Sequence, residues 1–161
     1  MDEKHLPLFG VGPYLMGLII IITFLSIAAS IYKIIPVYNI NKLNIFLITL
    51  GIISIIFAIV LWLLAILNSK LMKNIKNNNL VTTGVYSFVS HPIYACFLFI
   101  SIGLILISQN ILLFFLPFLF WAFLTISLIK TEEKWLFERY GDEYIKYSKK
   151  VNRFIPFKKI F

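Results

Sequence analysis

Two apolar blocks, Tyr14 to Ile35 and Leu43 to Leu67, constrain this chain more than any other feature. Each exceeds the roughly 20 residues that carry a helix across about 30 Å of hydrocarbon. The connection between them is short and turn-like, with Pro36, Asn39 and Asn41. An antiparallel pair of membrane-crossing helices is therefore expected. Composition agrees: 60% of the 161 residues are hydrophobic, where a soluble domain has about half.

The stretch from Asn68 to Gly84 is polar and basic, with a loop signal at residues 77–79. It is too polar to span and is expected at the membrane surface. Its end, "LVTTGVYSFV", carries β-branched residues and a glycine, which points to an extended or irregular strand-like segment. Apolar character returns at Ile93 and lasts to Ile129. As one straight helix that run would be about 55 Å long, far more than one bilayer. A break at Ser108–Asn110 divides it into a second hairpin, with spans of roughly sixteen and nineteen residues. Pro117 is expected to kink the second of these. From Lys130 onward two short amphipathic helices are expected, with Gly141 ending the first and Asp142 capping the second. Trp135, Leu136, Tyr140, Tyr144 and Tyr147 then fall at the interface, where aromatic rings collect. The fold class is thus an all-α integral membrane protein of about four transmembrane helices, plus a C-terminal helical segment. A chain this short is one domain, 1–161.

The formal net charge is +8. Its placement matters more than its size. Lys70, Lys73 and Lys76 follow the second block, and most of the remaining Lys and Arg lie from Lys130 onward. With four spans these regions share one side with both termini; the other side holds only Lys33 and Lys42. Positive residues mark the cytoplasmic side, so a multi-pass protein with both termini in the cytoplasm is expected. Membrane lipids, rather than nucleic acid, are the expected partners of this charge, because no recognition motif accompanies it. The start is mixed in charge (Asp2, Glu3, Lys4) and the first apolar run is too long for a cleaved signal core. The lone Cys96 excludes a disulfide within the chain and a cysteine zinc cluster, and the two histidines lack metal-ligand spacing.

The second hairpin leaves the basic side near His91 and returns to it near Lys130. Span length alone therefore brings "SHPIY" and "TEEKWLFERYG" to one surface. Pro92 suits the first turn of a helix, placing Ser90 or His91 near the N-cap. His91 is then either an interfacial cap residue or the mouth of a ligand site. Glu132 and Glu133, two acids in a first helical turn, either complement the helix dipole or accept from an amino group or a ribose diol. Tyr86 and Tyr94 read as belt, packing or ligand contacts. Arg153 reads as a partner for a lipid phosphate or a substrate carboxylate.

Taken together, "LVTTGVYSFVSHPIYACFLF" and, one hairpin later, "KTEEKWLFERYGDEYIKYSKKVNRFIP" resemble the isoprenylcysteine carboxyl methyltransferase family. The broader group includes phospholipid N-methyltransferases. The resemblance covers Leu80 to Pro156. It implies an S-adenosylmethionine-dependent membrane methyltransferase, with residues 1–68 as an N-terminal transmembrane hairpin and 80–156 as the cofactor-binding half. It implies cofactor contacts from Gly84, Tyr86, His91, Pro92, Tyr94, Glu132 and Glu133, and from the backbone of Leu80 and Val81. It implies catalytic roles for Arg153 and His91, and a lipophilic small-molecule or prenylated acceptor. The chain departs from the family at Ser90, where an arginine is usual. Three other functions compete: phospholipid N-methylation, an NADPH-dependent membrane reduction, and a non-catalytic four-span protein.

Overall fold

The first apolar block becomes α1, Gly12–Ile31, with Pro13 in its opening turn. These residues belong to a computed structural model that describes residues 11–39, 41–68 and 79–156. Lys70, Lys73 and Lys76, the charged start, His5 and most of the expected surface loop lie outside the described residues. Helix α1 stops because Lys33 turns left-handed at φ 54°. Ile34 N–H then donates to the Ala29 carbonyl at 2.8 Å and Lys33 N–H to that of Ser30 at 3.1 Å. That is a Schellman ending, followed by Pro36, which cannot continue a helix. Helix α2, Asn44–Leu63, ends in a widened turn, Leu64–Asn68.

The third apolar run is broken where expected. Helix α3, Pro92–Ser108, ends on Gln109 in the left-handed region. A tight 3-10 turn, Ile111–Phe115, leads into α4, Leu116–Lys130. Pro117 does not kink α4. It lies in the first turn, where its missing N–H removes no bond. Thr131 is the joint to α5, Glu132–Tyr140. Gly141, at φ 50° and ψ −124°, separates α5 from α6, Asp142–Lys150. That backbone conformation is open essentially to glycine alone. The N-cap of α6 is therefore Gly141. Asp142 sits one position inside, where its charge favours the helix start as Lys149 and Lys150 favour the end. Among the described residues there are no strands. "LVTTGVYSFV" forms a 3-10 turn, Gly84–Ser87, and one isolated parallel bridge, Val89 to Asn152.

The chain is an all-α membrane protein. In the three longest apolar helical stretches only 17–28% of the most apolar window is buried within the protein. Side chains such as Ile45 and Phe118 are 82% and 75% exposed and face the lipid. Helix α3 is the exception. At 17 residues it is about 26 Å long, but it packs on α1, α2 and α4 and carries eight buried residues. Ile19, Leu61, Leu98, Ile105, Phe120 and Leu124 form the core around it.

Asn110, fully buried, fastens the far end of the bundle. Its Nδ2 donates to Ser30 Oγ and to the Pro36 carbonyl, each at 3.0 Å. Its Oδ1 accepts from Tyr38 N–H at 3.2 Å and Leu112 N–H at 3.1 Å. All four of its hydrogen-bonding positions are filled, across both hairpin turns. Asn110→Leu strands several buried backbone groups. It is expected to cost about 3 kcal/mol, read as a lowered unfolding midpoint of the detergent-solubilised protein.

Candidate functional site

The opposite end of α3 gathers the charged groups. Pro92 opens the helix and His91 is its N-cap. The chain after α6 returns to meet it. Ser90 N–H donates to the Asn152 carbonyl at 2.8 Å, and His91 N–H to the Arg153 carbonyl at 3.0 Å. Ser90 Oγ donates to the same Asn152 carbonyl at 3.2 Å. Phe154, 2% exposed, anchors this tail in the core. The backbone of His91 is thus occupied, and its imidazole makes no capping bond.

That imidazole is 6% exposed and lies between the two acids. Its Nδ1 is 3.9 Å from Glu132 Oε2 and its Nε2 is 3.4 Å from Glu133 Oε1. Nε2 stands at ion-pair distance but has no aligned hydrogen-bond partner among the described residues. Tyr94, one turn into α3, meets the His91 ring edge-on at 5.8 Å and donates its hydroxyl to Glu132 Oε1. Arg153 grips Glu133 with two bonds, Nε to Oε1 at 2.6 Å and a terminal nitrogen to Oε2 at 2.9 Å. This fork-on-carboxylate geometry is the strong form of the pair. Burial alone would push the Glu133 carboxyl up. His91 and Arg153 outweigh burial and hold it at about 2. The guanidinium is correspondingly pushed up by its bonds to Glu133.

Three tyrosines close in behind. Tyr147 donates to the Tyr86 carbonyl at 2.6 Å, and its ring tilts against that of Tyr144 at 6.3 Å. Burial is the main cause that raises their phenol pKa values. The Glu132 charge adds to this at Tyr86, and the Glu133 charge at Tyr144. Tyr144 is 5% exposed and packs inside, so it does not belong to an interfacial belt. Its i, i+3 spacing with Tyr147 on one face of α6 was the available signal. The other face carries Asp142, Lys146 and Lys149.

Five sequence-nominated residues therefore converge: His91, Tyr94, Glu132, Glu133 and Arg153, with Pro92 setting the helix start. Tyr86 is joined to them through Tyr147 and the Glu132 charge. Gly84 opens the 3-10 turn at φ 63°. No hydrogen bond or ion pair among the described residues joins Leu80, Val81 or Gly84 to the five. Val81 packs in the core. Two carboxylates share one guanidinium and one imidazole, and Glu132 has no guanidinium of its own among the hydrogen bonds described, a set suited to a cationic or hydroxyl-bearing ligand.

A family model described as phospholipid methyltransferase matches residues 42–143. The chain is 41% identical over 93 residues to a protein-S-isoprenylcysteine O-methyltransferase of Saccharomyces cerevisiae, covering 55% of this chain and 38% of that protein. It is 33% identical over 116 residues to the enzyme of that name from Xenopus laevis, covering 67% and 40%. It is 30% identical over 112 residues to the cobalt-zinc-cadmium resistance protein CzcN of Cupriavidus metallidurans, covering 68% and 49%. The chain thus spans less than half the length of each of these relatives. No solved structure matches it.

Proposed function

This chain belongs to the phospholipid methyltransferase family, and from that premise we propose that it is an S-adenosylmethionine-dependent methyltransferase. The proposed reaction is carboxyl O-methylation of an isoprenylcysteine-like or other lipophilic acceptor. One observation carries the proposal: a buried imidazole set between two carboxylates, its Nε2 3.4 Å from Glu133 but without an aligned hydrogen bond among the described residues, where both hairpins end. Those groups fit the donor cofactor, which is cationic and carries an amino group and a ribose diol. The cofactor, when bound, supplies an electrophilic methyl group on a sulfonium.

The chain's own residues do the rest. Glu132, held by Tyr94, is the carboxylate nearest to a free acceptor role for ammonium or diol groups. Glu133 is committed to Arg153 and orients it. Arg153, 36% exposed, is placed to receive an acceptor carboxylate. His91 Nε2, which has no aligned hydrogen-bond partner among the described residues, is placed to bond a ligand beside Glu133. Alignment of acceptor and methyl group is the main contribution such a site makes, about 7–11 kcal/mol at full near-attack geometry. A carboxylate acceptor needs no base. The cofactor half is residues 80–156, the site opens to the cytoplasm, and the apolar acceptor arrives between helices from the lipid.

Glu132→Gln tests this. Tyr94 still has an oxygen to donate to, so the fold is expected to persist, while S-adenosylmethionine binding by calorimetry falls at least tenfold. Unchanged affinity overturns the assignment. A second reading, N-methylation of an amine-bearing lipid, draws support from the description of the matched family. A labelled methyl group released by base identifies the ester; a base-stable product identifies the amine.

A further inference from the structure

Helix α1 lies outside the matched region, which begins at residue 42, yet its first residue reaches the site. Gly12 is buried. A Cβ built on it would stand 3.0 Å from the Tyr94 hydroxyl and 3.5 Å from the carbon that bears it. The same hydroxyl donates to Glu132, and the same ring packs edge-on to His91. Tyr94 itself is 6% exposed, so it has no open side into which it can retreat. The backbone of α1 therefore forms the wall behind the one hydroxyl that holds the freer carboxylate.

We propose that Gly12 is a positioning residue of the site: by lacking a side chain, it lets Tyr94 stand where its hydroxyl fixes Glu132 for the cationic methyl donor. This rests on the function proposed above. It assigns the first helix a part in donor binding as well as in membrane anchoring. Gly12 is helical and Pro13 follows it, so a Cβ there also carries a backbone cost of its own. The closest contact is nonetheless the Tyr94 hydroxyl, with the flexible Met16 Cε next at 3.4 Å. A cost through the backbone persists when the hydroxyl is removed, whereas one through the hydroxyl does not.

The test is Gly12→Ala, alone and with Tyr94→Phe, in the detergent-solubilised full chain. S-adenosylhomocysteine affinity is read by calorimetry, and the melting temperature is read without ligand. Gly12→Ala is expected to weaken binding about tenfold while the melting temperature stays within about 3 °C of the parent. In the Tyr94→Phe background, where the hydroxyl is gone, Gly12→Ala is expected to change affinity less than about twofold, since the two act through one atom. Two results overturn the inference: full affinity in Gly12→Ala, or an equal loss in both backgrounds. Glu132→Gln separates the two levels. If it loses binding while Gly12→Ala retains it, only the role of Gly12 falls. If Glu132→Gln binds normally, the site assignment falls and the role of Gly12 with it.

Discussion

Glu133→Gln is expected to destabilise the protein by about 2 kcal/mol at neutral pH, with the difference closing under acid. The carboxyl is 13% exposed and holds a two-bonded guanidinium. Its pKa falls from an ordinary 4.5 to about 2. That depression corresponds to about 3 kcal/mol of preference for the charged form. Arg153 is partly in water, so screening lowers the figure to about 2 kcal/mol. The folded-state value lies below the unfolded one. The stabilisation is therefore complete above about pH 4.5 and lost as pH falls through about 2. Melting temperatures of parent and variant should differ most at pH 6–7 and converge below pH 3. A constant gap across that range would mean that packing, not charge, accounts for the loss. The variant also frees Arg153 and removes a neighbour of His91, so donor binding is expected to fall with stability. For this reason Glu132, not Glu133, is the cleaner probe of ligand contact.

Gly103→Val is expected to be more damaging still. A Cβ at Gly103 would lie 2.6 Å from the Gly51 carbonyl oxygen and from Ile55 Cγ1. A Cβ at Gly51 would lie 2.7 Å from the Gly103 carbonyl oxygen and from Ile107 Cγ1. The obstacle in both directions is main chain, which cannot rotate aside. Two helices touch here backbone to backbone, the close approach that small residues permit in membranes. Nearby, Ser54 Oγ donates to the Phe99 carbonyl at 2.8 Å and Phe57 meets Phe99 edge-on at 5.0 Å. Alanine at Gly103 is expected to cost about 1–3 kcal/mol and valine about 3 kcal/mol or more. The measurement is the unfolding midpoint in graded denaturing detergent. Because α3 carries His91 and Tyr94, the valine variant is also expected to lose donor binding. Retention of both stability and binding would show that α2 and α3 can separate freely.

Span length made most of the architecture legible. Two long blocks, and a third run too long for one crossing, led directly to two hairpins. The position of the second turn was readable because Ser108, Gln109 and Asn110 are the one run of consecutive polar residues in it. The His91–Pro92 helix start and the acids in the first turn of α5 were readable from capping chemistry. Pairings between distant segments were not. Nothing local in "NRFIP" says that Arg153 turns back to Glu133, since that depends on the tail docking beside Ser90. Nor does Gly12 or Gly51 differ, as a letter, from a glycine facing lipid. The helix that holds Pro117 starts at Leu116, about five residues later than the expected span, which turns a kink into a helix start; Asp142 was misplaced by one position, which turns a cap into a first-turn acid.

The clasp between Ser90 and the returning tail spans 62 residues. On a ribosome that interval takes roughly 3–12 s at ordinary elongation rates. For about two thirds of that time the nascent chain holds a histidine at a helix start with neither acid yet made, and for all of it Arg153 is missing. Assembly of the charged cluster is thus a late event in biogenesis, completed only when the segment beyond the last helix emerges and folds back.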